Sequence, residues 1–129
     1  MTFEDIWELK PRKTQKEIFD FYKDQGSWSS FRQCVRHKDM EGYHVNLLNA
    51  LIKSNKIFNG SHFCEYGSGI APFATSFLKY MQNKDINIDI TIADVDSEHF
   101  DFAKYRLEKI KKDFNYKNLN LFFKKIKPD

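Results

Sequence analysis

Cysteine is scarce in this chain of 129 residues, which carries only Cys34 and Cys64. Two thiols at no metal-like spacing exclude a disulfide-built scaffold and point to a reducing, cytoplasmic setting. Long apolar runs are missing as well. No stretch approaches the ~20 residues that span a bilayer, and the opening MTFEDIWELKPRK lacks the apolar centre of a secretory signal. No membrane partner is therefore expected. There is no internal repeat and no low-complexity segment. His37, His44, His62 and His99 have no metal-ligand spacing, so no metal site is expected, and no Ser-His-Asp arrangement can be assembled.

Charge of one sign is also in short supply, the net value being +3. The one uneven stretch runs from Lys104 to Lys127, where nine Lys or Arg meet two acids, Glu108 and Asp113. Such a run contacts nucleic acid only if it forms one continuous face with aromatics between. A solvated helix face followed by a charged edge strand accounts for it without a partner.

Phenylalanine, by contrast, is plentiful, with 13 residues among 16% aromatics. That suits a core built on rings, in a chain long enough for one domain. Residues 1–13 read as an irregular arm. Thr14 and Glu17 form a T-x-x-E capping box ahead of a helix with Ile18, Phe21 and Tyr22 on one face, for which Gly26 is a candidate stop. Residues 27–40 have no clear period, although Phe31 and Val35 could share a helical face. From about Asp39 to Ser54 a helix is legible through Val45, Leu48, Leu51 and Ile52. Asn59-Gly60 marks a turn.

From residue 61 the pattern is β-α-β-α-β. His62 to Glu65 reads as a short buried strand and Gly67-Ser68-Gly69 as a turn. Ile70, Phe73, Ala74, Phe77, Leu78 and Met81 lay a stripe along a helix with Pro72 in its first turn. Residues 86–93, INIDITIA, alternate as a strand with one buried side. Asp96 or Ser97 caps a helix that buries Phe100, Ala103, Leu107, Ile110 and Phe114, and a lysine-rich strand runs from Leu119 to Lys125. Strands alternating with helices of this length predict a parallel sheet with right-handed crossovers, and a ligand beyond the carboxyl ends of its strands.

That edge gathers two carboxylates, Glu65 at the end of the first strand and Asp94 at the end of the second, around Gly67 and Gly69. Glycine lets a ligand approach the backbone, and an acid ending the second strand can accept hydrogen bonds from both hydroxyls of a ribose. An adenosine-type ligand is the expectation. A dinucleotide fingerprint wants a third glycine where Pro72 stands, and Glu65 would repel a pyrophosphate. A cofactor with a positive charge near the turn fits better.

Glu65-Tyr66-Gly67-Ser68-Gly69 resembles the E/D-x-G-x-G motif of class I S-adenosylmethionine (SAM)-dependent methyltransferases, and Ala93-Asp94-Val95-Asp96-Ser97-Glu98-His99-Phe100 resembles that family's exit from its second strand. The resemblance covers roughly residues 45–125. It implies SAM as cofactor, with Glu65 approaching the methionine ammonium. Gly67, Ser68 and Gly69 would line the cofactor path, Asp94 would hold the ribose diol, and Val95 would pack on adenine. Tyr22 and Trp28 would be lid or substrate contacts, unless they simply pack the N-terminal helices. The family often has a further glycine where Ala71-Pro72 follows here, and Asp94 lies 27 residues beyond Gly67, a spacing that a longer helix and loop would absorb.

The expected architecture is a Rossmann-like three-layer α-β-α fold with a parallel sheet, truncated after the third strand. It is one structural domain, with residues 1–60 as a helical cap and 61–129 as a partial SAM-binding region. The family's sheet has seven strands and its catalytic residues usually follow the fourth, so catalytic residues and methyl acceptor stay unassigned. Negligible activity is expected of this chain alone. The first strand, which that topology places centrally, is expected to pair along residues 61–66 with a second copy or with a missing C-terminal half. Arg32, Arg36 and His37 could meet an acidic substrate or form a solvated polar face. Two other functions stay open: a non-catalytic nucleotide-binding or regulatory module, and a basic nucleic-acid-contacting protein.

Overall fold

In the computed structural model, which describes residues 5, 8–24 and 26–129 apart from the Trp28 side chain, Thr14 opens helix α1 (Gln15–Lys23) with the expected box. Its hydroxyl accepts the Glu17 amide at 3.1 Å, and the Glu17 carboxylate accepts the Thr14 amide at 3.1 Å. Within the N-terminal arm, residues 5, 8 and 9 are helical rather than irregular, while residues 1–4, 6 and 7 lie outside the described residues. Gly26 does not stop α1, which closes on Asp24. It is the N-cap of the next helix, in extended conformation.

That helix, α2 (Ser27–Lys53), is continuous over 27 residues, joining the stretch without clear period to the legible one. Its period is hidden because α2 turns polar groups inward. Ser30 bonds His99 at 2.6 Å and His37 bonds Ser76 at 2.8 Å. Phe31 and Val35 do share a face, but it is the exposed one.

The remaining elements are β1 (His62–Tyr66), α3 (Pro72–Tyr80), β2 (Ile88–Val95), α4 (Glu98–Asp113) and β3 (Leu119–Ile126). The strands pair in parallel in the order β1-β2-β3, a Rossmann-like open sheet with flanking helices. β1 is therefore an edge strand. Proline at the first position of α3 loses no intrahelical bond there, and Ser97 caps α4 by accepting the Phe100 amide at 3.3 Å. Ile70 is buried in the turn before α3 rather than on the helix.

Register decides what faces what. Phe63 and Glu65 share a face with Ile90 and Ile92, then with Leu121 and Phe123. α3 covers that face at one end, with Phe77 5.4 Å from Phe63 between ring centroids. α4 covers it at the other, with Phe100 6.2 Å from Phe123. Ile90, Ile92, Leu107 and Phe77 are wholly buried between them. On the opposite face Ala93 and Val95 are buried, and α1 packs against β2. His62, Cys64, Tyr66 and Phe122 on that face are exposed, so β1 is not the buried strand its sequence suggested: as an edge strand it is covered on one face only, and Phe63 and Glu65 are partly exposed.

α2 and α3 are tied by a buried polar knot. Ser76 Oγ sits 2.8 Å from His37 Nε2 and 3.3 Å from His44 Nδ1. Burial, helped by the nearby Arg106 charge, lowers the His37 pKa to about 4. Burial likewise lowers those of His44 and His99. Below their ordinary 6.5 the unfolded chain takes up protons that the fold refuses, so stability present above that pH is lost on acidification toward about 4. Glu65, raised from 4.5 by burial, works the other way, since its fold-bound proton is lost as pH rises. Three imidazoles against one carboxyl predict a melting temperature that falls from about pH 7 to about pH 5. His37→Gln is expected to flatten that slope; a slope unchanged in the variant would remove the knot as its cause.

Candidate functional site

The chain between β1 and α3 bends through three left-handed residues, Gly67 (φ +64°), Gly69 (φ +52°) and Ala71 (φ +54°). Glycine adopts this conformation without penalty, whereas alanine pays roughly 1–2 kcal/mol. Ala71 is fully buried.

Backbone and side-chain hydrogen bonds hold the bend. Gly67 donates its amide to the Ala93 carbonyl at 2.8 Å. Gly69 donates to Asp94 Oδ2 at 2.5 Å, while Asp94 Oδ1 accepts the Val95 amide at 2.7 Å. Arg106 of α4 donates to the Ile70 carbonyl at 2.5 Å. A further pair of bonds serves the start of α3, where Ala71 offers no side-chain cap and Pro72 has no N–H. The amides of Phe73 and Ala74 need acceptors, and Glu65 supplies both, Oε1 at 3.1 Å and Oε2 at 2.8 Å. Burial raises the Glu65 pKa, opposed by those two amides and by Arg106.

Both carboxylates thus converge on one edge and one face of the sheet. Each is engaged with backbone amides. A carboxylate has about four acceptor sites, so the two amides on partly exposed Asp94 leave room for further donors.

Above the bend lies an open cleft of about 530 Å³. Gly67, Ser68, Gly69 and Ile70 form its floor, and His99 and Pro72 flank them. Its opposite wall is α2, through Arg32, Gln33, Arg36, His37 and His44, with Tyr22 of α1 contributing as well. No carboxylate lines it among the described residues. Its volume is that of a small-molecule site.

Of the residues singled out in the sequence, Gly67, Ser68, Gly69 and Tyr22 meet at this cleft, together with Arg32, Arg36 and His37, the three offered for an acidic substrate or a solvated face. Glu65 and Asp94 lie behind the floor, holding it. Val95 is buried at 8% exposure, on the other face from Asp94, and does not line the cleft. The Trp28 side chain lies outside the described residues. Sequence reasoning missed Gln33, Met40 and His44 on the wall, Arg106 as a brace, and His99 as a lining residue. Four-residue spacing on α2 from Arg32 to Arg36 to Met40 was the available signal.

The fold and cleft together define an open parallel α/β protein with a ligand-type cavity over a glycine turn. Comparison of the chain with protein-family models, curated proteins and solved structures finds no match to any of them. Among the described residues no group of His, Cys, Asp or Glu is placed to hold a metal, and no helix is long and apolar enough to cross a membrane.

Glu65→Ala strands two amides at the start of α3, and is expected to cost about 2–3 kcal/mol in denaturant unfolding, with Glu65→Gln costing less. A neutral result for Glu65→Ala would refute its role as the helix cap. Gly67→Ala and Gly69→Ala both meet the left-handed penalty. Only at Gly69 would the new Cβ also lie 2.5 Å from Gln33 Oε1. The Gln33 amide is the end of a flexible side chain that can swing aside, so the two variants should lose similar stability, and a clearly larger loss at Gly69 that Gln33→Ala reverses would show that amide to be held in place.

Proposed function

We propose that this chain is the SAM-binding portion of a methyltransferase acting on an acceptor not yet assigned. The observation that carries this reading is the Gly67–Ser68–Gly69 turn, with both glycines left-handed, forming the floor of a cleft at the carboxyl end of parallel strands, with Asp94 fastened to it. Glycine at these positions admits an adenosyl ligand to the backbone, and the unused acceptor sites of Asp94 suit two ribose hydroxyls. Tyr22 supplies an aromatic surface beside the same cavity. Glu65, with both oxygens on α3 amides, would act on a methionine ammonium only through space or through water.

A second reading is favoured by the lining itself. A cleft with Arg32 and Arg36 on its wall and no carboxylate suits an anionic nucleotide in a non-catalytic module.

Titration calorimetry separates the two. SAM and S-adenosylhomocysteine should release or absorb heat and raise the melting temperature, while NAD and ATP should not. Asp94→Asn should weaken SAM by about tenfold, the effect of one charge-assisted bond. Absence of any SAM heat with a folded chain would overturn the methyltransferase reading, and ATP heat in its place would establish the second.

A further inference from the structure

We infer that the cleft contains an oxyanion site, a receptor for a phosphate or carboxylate group, between Arg32 and Arg36 on one side and Ser68 and His99 at its inner end. The inference rests on the cleft reading above for where the ligand sits, and not on which cofactor it is.

Two independent observations lead there. The first is a pair of polar atoms without partners in the interior. Ser68 and His99 are each 4% exposed, and both line the cleft. Ser68 Oγ and His99 Nε2 have no hydrogen-bond partner among the described residues. Buried polar atoms almost always find one, and an orphan costs a desolvation penalty that a ligand atom would remove. The second observation is the opposite wall. Arg32 and Arg36 are one turn apart on α2, so their guanidinium groups start from the same side of the helix. Both are exposed, neither forms an ion pair among the described residues, and no acid lines the cavity with them.

The donor chemistry agrees with an oxyanion. Arginine presents planar N–H forks that match carboxylate and phosphate oxygens. Ser30 lies 2.6 Å from His99 Nδ1. With the Ser30 hydroxyl donating to that nitrogen, the neutral ring carries its proton on Nε2, the nitrogen without a partner. The Ser68 hydroxyl hydrogen is free to rotate and has no acceptor of its own. The first amides of α3 add little, since Glu65 already occupies those of Phe73 and Ala74.

The probe is inorganic phosphate, added to the full chain at constant ionic strength and followed by amide NMR shifts. Saturable shifts are expected at residues 67–70. The double variant Arg32→Gln/Arg36→Gln, altered only on the exposed side of α2, should weaken phosphate by about tenfold or more while melting as the parent does. Ser68→Ala should weaken it several-fold. No saturable shift, or equal affinity in the double variant, overturns the site. Two sources of the anion are then separated with SAM and its decarboxylated analogue. If phosphate competes with SAM and the analogue binds more weakly, the site takes the cofactor's own carboxylate. If SAM and its analogue bind equally alongside phosphate, the site takes an anionic substrate. If phosphate binds and SAM does not, the oxyanion site stands and the methyltransferase reading falls.

Discussion

The turn between β1 and α3 depends on two carboxylates that act on backbone amides. Ala71 is left-handed and cannot cap, Pro72 has no N–H, and the bend before them uses two glycines with little intrinsic stiffness. Left alone, such a segment would sample many shapes. Glu65 reaches forward to the first free amides of α3, and Asp94 reaches across from β2 to Gly69. Arg106 completes the brace at the Ile70 carbonyl. A segment that ought to be loose becomes the floor of a cavity.

This arrangement also sets the sign of the cavity. Because the acids sit behind the floor with their oxygens on amides, the lining carries none of them, while α2 contributes Arg32 and Arg36. The same helix holds His37 and His44 neutral at ordinary pH through burial. A site whose sequence motif is acidic thus presents a basic wall.

The sheet was legible because its code is short-range. Ile88, Ile90 and Ile92 alternate, so a buried strand follows from period two alone, though it runs over Ile88–Val95 rather than 86–93 and leaves Ile86 buried in the preceding loop; Phe100 to Ile110 follow period 3.6, with Phe114 as the C-cap. The T-x-x-E box located the start of α1. α2 was only half legible. Its N-terminal half turns partly buried Ser30 and His37 toward His99 and Ser76, partners about 70 and 40 residues away, and exposes Phe31 and Val35. Polarity inside and rings outside invert the pattern from which a helix is read. Gly26 misled for a related reason: an extended glycine before a helix and a left-handed one after it are the same letter.

By itself the sequence determined the order of strands and helices, the glycine bend and the meeting of two acids at one sheet edge. Each follows from local periodicity and from the chirality of parallel crossovers. Only the tertiary structure decided where those acids point and what faces the ligand space. Orientation depends on which amides lack partners once α3 docks, and on which side of α2 turns toward the sheet, and neither is encoded in spacing along the chain.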